Sequence, residues 1–248
     1  MSEDNPYTKH AQYWDWSGHD RTQEHEYWLQ YAAKYGRNVL IPMCAWGETG
    51  AYMAQRGFDV TAFDLTPEMI TEGRERFGDI PGLRLFVADA RDFSFDIPPA
   101  DFCFSMDFEI FHTIEDVKRA LHCIHRHLRP GGALVLEVSL PPKKSSGWPL
   151  ETYQPFKQVY PNRKVWKTGS GHFDAKEGRQ YISQTLYVED ANSRVENFDH
   201  SFYLQCYSLP EWRGVLKECG FRVTHEHRGR EGLSWKGSGA PIIEAVKL

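Results

Sequence analysis

Apolar positions along this chain fall into short aliphatic runs separated by amphipathic stretches, the rhythm of strands alternating with helices. Val39-Leu40-Ile41, Val60-Thr61-Ala62-Phe63, Leu83-Arg84-Leu85-Phe86-Val87, the run from Ala100 to Asp107 and 133–138 suit strands of a largely buried sheet. Helices are predicted between them. In 21–36, Tyr27, Trp28, Tyr31, Ala32 and Tyr35 recur at helical spacing before Gly36. A second helix is entered through the small residues Gly47, Thr49, Gly50 and Ala51 and closes at Gly57; a third has Thr66 as its cap, Pro67 first, and runs to about Phe77. Thr113-Ile114-Glu115-Asp116 opens a fourth, with Val117, Ala120, Leu121, Ile124 and Leu128 on its apolar face. A strand–helix–strand unit of this length crosses over right-handed, so its strands are parallel neighbours.

The rhythm breaks over 141–207. Residues 141–147 read as a loop, while 181–188 and 197–205 alternate like antiparallel strands. A capping box, Ser208-Leu209-Pro210-Glu211, then opens a helix through Cys219 that Gly220 ends; 221–227 and 241–246 form the last two strands.

Composition changes this picture little. The chain has 248 residues, 41% hydrophobic and 25% charged, enough for one large α/β domain with an inserted piece. A net charge of −5 gives no general affinity for nucleic acid or an anionic membrane. The five scattered cysteines form no C-x-x-C pair, which favours reduced thiols and a cytoplasmic protein. The polar N-terminus is no secretory signal, and no apolar run approaches the ~18 residues of a membrane span. His122, His125 and His127 do not share one helix face, so no metal is expected. Lys157, Arg163, Lys164 and Lys167, with Lys143 and Lys144, read as a solvated basic loop, or a patch for an anionic substrate or RNA.

The candidate chemistry lies at the strand ends. Asp64, at the tip of the second strand, is where open α/β sheets hold a ribose. The stretch 39–64 resembles motif I of the class I S-adenosylmethionine-dependent methyltransferases: Val39-Leu40, Cys44, Gly47 and Asp64 match. Ile41 stands where the family has an acid, and Met43 and Ala45 where it has glycines; Pro42-Met43-Cys44 is similar to the form in thiopurine and halide methyltransferases. Further matches come in order: Asp89-Ala90 after the third strand, Ser105 to His112 after the fourth, Arg129-Pro130-Gly131-Gly132 before the fifth, and the Tyr207-to-Phe221 segment. Asn5-Pro6-Tyr7 is a chance likeness to the motif of DNA-base methylating enzymes.

The resemblance implies an α/β, Rossmann-like, doubly wound sheet of seven strands, mostly parallel with an antiparallel last strand, and an antiparallel β insertion after strand five. The domains it suggests are an aromatic lid and helix (1–36), a cofactor-binding core (37–140), a substrate cover (141–207) and a C-terminal completion of the sheet (208–248). The implied activity is methyl transfer from S-adenosylmethionine to a small-molecule acceptor, with neither nucleic acid nor membrane as partner; the acceptor atom and the oligomeric state are not set by the sequence. The turn Met43, Cys44, Ala45, Trp46 and Gly47 would meet the methionine end of the cofactor, with Met106 near it. Asp64 and Leu65 would hold the ribose side, Asp89 and Ala90 the adenine, and Tyr13, in the Tyr13-Trp14-Asp15-Trp16 segment, would fold over it. His112 is the first candidate base, with Glu109 and His172 behind it. Trp148, Tyr153, Phe156, Tyr160, Trp166, His172 and Phe173 would line the cover. The departures at Ile41, Met43 and Ala45 also admit a cofactor-binding but inactive regulatory or scaffold protein. A nicotinamide oxidoreductase fits less well, because the turn lacks G-x-G-x-x-G.

Overall fold

The computed structural model describes residues 7–142, 146–153, 160–228 and 240–248, which divide into two compact units. One comprises Thr22–Leu140 with Tyr207–Leu248, the other the described parts of Met1–Arg21 and Pro141–Cys206.

In the first unit the predicted runs become β1 (Asn38–Pro42), β2 (Asp59–Asp64), β3 (Leu83–Val87), β4 (Ala100–Ser105) and β5 (Leu128–Glu137), all mutually parallel. After the second unit's strands come β10 (Phe221–Arg228) and β11 (Pro241–Lys247), giving the sheet order β10-β11-β5-β4-β1-β2-β3. β11 runs antiparallel to both its neighbours, so the expected antiparallel last strand is present.

Alternation along each strand divides the core between two faces. Leu40, Phe63, Cys103, Leu134 and Leu136 pack with helices α5 (Ile114–His127) and α6 (Leu209–Glu218). Val39, Ile41, Val60, Ala62, Phe102 and Phe104 pack on the other face, with α2 (Thr22–Tyr35), α3 (Glu48–Ala54) and α4 (Pro67–Phe77). On α2 the helical spacing works as read: Trp28 stacks on Phe104 at 4.4 Å between ring centres, and Tyr31 and Tyr35 stack on Phe102.

One boundary differs. Leu128 already pairs with Ala100, so Arg129-Pro130-Gly131-Gly132 is a bulge within β5 and not a preceding turn. Arg129 holds the bulge in place, Nε donating to Asp101 Oδ1 at 2.6 Å and Nη2 to the Tyr35 carbonyl at 3.1 Å.

The second unit contains α1 (Tyr7–His10), a 3-10 turn (Ala11–Tyr13) and a four-stranded antiparallel sheet in the order β6-β7-β8-β9. The last two, β8 (Arg179–Glu189) and β9 (Val195–Gln205), are the predicted pair. β6 (Ser146–Tyr153) and β7 (Lys164–Asp174) correct the sequence reading: Ser146 and Gly147 are strand and not loop, and Lys164 and Lys167 lie in β7 and not in a solvated loop. Glycines at 169 and 171 blank the alternation in β7, and pairing along its whole length with β8 makes the strand. Lys143, Lys144, Phe156 and Lys157 lie outside the described residues, as does the side chain of Trp148.

Tyr13 is buried among Val165, Leu186 and Val188; Tyr160 and Phe198 pack on its ring, and Arg163 Nη1 donates to its hydroxyl at 2.7 Å. The Lys167 ammonium lies 5.5 Å from the Trp16 ring centre, and burial pushes its pKa down to about 8.

Candidate functional site

The carboxyl ends of β1 to β4 share one edge of the large sheet, where open α/β folds bind ligands. The chain leaves β1 through a turn in which Met43 (φ 54°), Ala45 (φ 50°) and Gly47 (φ 80°) are all left-handed. Met43 and Ala45 occupy the two expected glycine positions, so the turn keeps a glycine geometry without the glycines. An L-residue in this conformation costs about 1–2 kcal/mol. Internal hydrogen bonds hold it: Cys44 N donates to the Phe63 carbonyl (3.0 Å), Ala45 N to Asp64 Oδ2 (3.0 Å) and Gly47 N to the Cys44 carbonyl (2.9 Å). Trp46 is buried with the Arg76 guanidinium 3.9 Å from its ring centre, and its carbonyl presses on α4 so closely that a Cβ at Gly73 would come within 2.2 Å of it.

Asp64 closes this turn from the end of β2. Its Oδ2 accepts from Ala45 N and its Oδ1 from Thr66 N (2.9 Å), and the Thr66 hydroxyl also bonds to it; with about four acceptor positions on a carboxylate, capacity remains for a further hydroxyl. Burial raises its pKa against these two amides and the Thr66 hydroxyl, and the neighbouring Asp107 carboxylate adds to the rise. Burial and the Asp64 charge also push the Cys44 thiol well up, so Cys44 is a neutral thiol here. Leu65 is 50% exposed and Val87, paired with Asp64 at the end of β3, is 44% exposed, whereas Val60 to Phe63 of β2 are buried.

Asp89 follows β3, and both its oxygens are engaged by Arg91, with Nη2 at 2.7 Å and Nε at 2.9 Å. That contact holds its carboxyl below the ordinary range. Ala90 beside it is buried, and Met106 at the end of β4 is half-buried. Glu109 lies in a 3-10 turn (Phe108–Ile110), buried, with its Oε1 accepting from the Ser139 amide beyond β5; His112 is exposed just after. Tyr13 belongs to the second unit, and so does His172, which is exposed and stacks on Tyr181 at 4.8 Å. The three helix histidines face different partners: His127 bonds Phe95 N and the Cys123 carbonyl, His125 packs on Phe221, and His122 lies near Cys219.

Val87, Thr66 and Asp107 are part of this edge, although the sequence presents them only as strand ends and a helix cap. Val87 ends an apolar run, where a strand's last residue looks the same exposed or buried. Asp107 is an ordinary strand-terminal acid until its proximity to Asp64 is seen. The residues present suit an adenosyl cofactor: a carboxylate with a spare acceptor site at the β2 tip, beside the exposed apolar side chains of Leu65 and Val87.

Comparison with known proteins agrees. Residues 39–132 match the family model of the methyltransferase domain. A putative methyltransferase of Bacillus subtilis, YqeM, is 22% identical over 201 residues, covering 79% of this chain and 78% of that protein. The demethylmenaquinone methyltransferase of Chlorobaculum tepidum is 30% identical over 128 residues, 46% of this chain and 50% of that protein. Among solved structures, the S-adenosylmethionine-bound amino pentose methyltransferase CalS10 of Micromonospora echinaspora covers 100% of both chains with a TM-score of 0.70 at 18% identity. An S-adenosylmethionine-dependent methyltransferase from Clostridium acetobutylicum covers 98% of this chain and 99% of that one, with a TM-score of 0.76 at 15% identity; likeness at this identity speaks for the fold. Residues 39–132 therefore carry a methyltransferase domain, and the cofactor to which the relatives and neighbours point is S-adenosylmethionine.

Proposed function

We propose that this methyltransferase acts on a small-molecule acceptor by in-line displacement, with the cofactor held along the carboxyl edge of β1 to β3. The observation that carries the placement is Asp64, hydrogen-bonded to both flanking loops yet able to accept again, between exposed Leu65 and Val87. When bound, S-adenosylmethionine supplies a methyl group already activated on a sulfonium. The protein's share is therefore alignment and exclusion of water.

In this reading Asp64 takes the ribose hydroxyls, Leu65 and Val87 flank the adenine, and Asp89 and Ala90 meet its edge. Arg91 sets the orientation of Asp89 while competing for its oxygens. The turn from Met43 to Gly47, through Cys44 and Ala45, and Met106 border the methionine end. Trp46, buried under Arg76, supports this turn from below. His112, exposed at the edge, is the candidate to take a proton from a hydroxyl or ammonium acceptor. Glu109, fixed on the Ser139 amide, ties the ends of β4 and β5 together and serves position more than proton transfer. The amino pentose methyltransferase among the structural neighbours supports a small acceptor. The weak negative net charge supports no nucleic-acid partner, and no helix among the described residues is long and apolar enough to cross a membrane.

Calorimetry with S-adenosylmethionine and S-adenosylhomocysteine, followed by turnover on a panel of small amines and hydroxyl compounds including amino sugars, tests this. Both sulfur compounds are expected to bind. Asp64→Ala should weaken them about tenfold to a hundredfold, the value of a hydrogen bond to a charged group. Failure of the wild-type protein to bind either compound would overturn the assignment of the edge, and binding with no turnover on any acceptor would favour the regulatory reading.

A further inference from the structure

Helix α2 plays no part in the reading above, yet its first turn reaches the helix that the cofactor turn feeds. His25 is 4% exposed. Its Nδ1 lies 3.1 Å from Thr49 Oγ1, and its Nε2 lies 3.6 Å from Glu48 Oε1. Its ring also tilts over Tyr52, with centres 5.1 Å apart. Glu48 and Thr49 are the first two residues of α3 and directly follow Gly47, the last residue of the left-handed turn. One imidazole therefore contacts three side chains of this seven-residue helix.

The same face of α3 is held again one residue further along α2. The Glu26 carboxylate takes the Tyr52 hydroxyl and lies 3.7 Å from Arg56, whose guanidinium covers the Tyr52 ring at 3.4 Å. Glu26, Tyr52 and Arg56 have substantial access to solvent, where such pairs contribute little. His25 and Thr49 are buried, so theirs is the contact that fixes the start of α3. A short helix entered through a turn with two strained L-residues has little of its own to fix its direction.

We infer that His25 is a positioning residue for the cofactor: by holding Thr49 and Glu48 it sets where the turn from Met43 to Gly47 presents its backbone to the methionine end. This rests on the placement of the cofactor proposed above. With the ring proton on Nε2 facing Glu48, Nδ1 accepts from the Thr49 hydroxyl. The two contacts can be separated, because Asn offers a polar atom near the place of Nδ1 and Gln near that of Nε2.

The experiment compares His25→Ala, His25→Asn, His25→Gln and Thr49→Val with the wild type. S-adenosylhomocysteine Kd is read by calorimetry, the KM for S-adenosylmethionine and kcat by turnover, and Tm by thermal melting. His25→Ala and Thr49→Val should each raise Kd and KM about tenfold to a hundredfold, the range for misplacing a binding group, with a smaller change in kcat. His25→Asn should recover most of the affinity and His25→Gln less. Should turnover be absent in all forms, the Kd pattern alone decides. Variants that lose Tm but keep wild-type Kd would make His25 a packing residue and overturn the inference. If His25→Ala does not fold, equal Kd values for the wild type, His25→Asn, His25→Gln and Thr49→Val would overturn it as well. A wild-type protein that binds no S-adenosylhomocysteine refutes instead the cofactor placement on which the inference rests.

Discussion

At the scale of single residues, the turn after β1 separates backbone conformation from residue type. Met43 and Ala45 adopt the left-handed conformation that glycine takes without cost, and the turn survives because hydrogen bonds to Phe63 and Asp64 pin it. Ala45→Gly should relieve about 1–2 kcal/mol of strain, less the roughly 0.5–1 kcal/mol of extra backbone entropy that glycine loses on folding. The expected outcome is a Tm about 1–4 °C higher with S-adenosylhomocysteine affinity retained, checked by melting and calorimetry. Met43 is a poorer probe of strain alone. It is half-buried and packs against the core, so Met43→Gly removes a contact together with the strain.

At the scale of elements, α2 is fastened to the sheet by a buried carboxylate as well as by its aromatic face. Glu244 on β11 accepts from Tyr35 Oη (2.8 Å), Lys34 Nζ (3.0 Å) and Tyr31 Oη (3.2 Å), with His227 of β10 at 3.3 Å. Burial alone would raise its pKa, but the bonds from Tyr35, Lys34 and Tyr31 outweigh it and hold the carboxyl below the ordinary range. A carboxylate with a depressed folded pKa binds protons more readily when unfolded. Its contribution is therefore complete above the unfolded value near ~4.3 and is lost as pH falls through the lower folded value. Urea unfolding as a function of pH should show Glu244→Gln less stable than wild type at pH 7, with the gap closing in acid. A gap independent of pH would mean that the carboxylate's charge is not what fastens α2.

At the scale of the whole molecule, the N-terminal segment and residues 146–206 form one compact unit although more than a hundred residues separate them in sequence. Tyr13 is central to that packing, with Arg163 on its hydroxyl and Tyr160 and Phe198 against its ring. Tyr13→Phe keeps the ring and removes the hydrogen bond, which should cost about 1 kcal/mol in denaturant unfolding and match the effect of Arg163→Met. Calorimetry decides whether Tyr13 does more. An anchor leaves S-adenosylhomocysteine affinity unchanged in both variants, whereas a fall in Tyr13→Phe alone marks a direct role at the cofactor.

The sequence by itself determined the order and type of the elements in the larger unit, because each depends on local periodicity and punctuation. β1 with its turn, α4 with Pro67 first, the capped α5, the Ser208–Glu211 capping box and the last two strands all lie where hydrophobic spacing and helix start signals put them, although Thr66 makes no side-chain cap bond to α4. It also supplied Asp64, since a strand-terminal acid before a helix cap is a local signal. Only the tertiary structure decided the rest. β7 exists because β8 pairs with it, and its glycines erase the alternation that would announce it. The left-handed φ of Met43 and Ala45 is imposed by partners on β2, against the preference of both residues. The engagement of Asp89 by Arg91, the seat of Glu109 on Ser139 and the grip of His25 on Thr49 join side chains whose geometry only the packed fold provides. The motifs name the residues at the edge of the sheet, while the packing settles which are held and which are exposed.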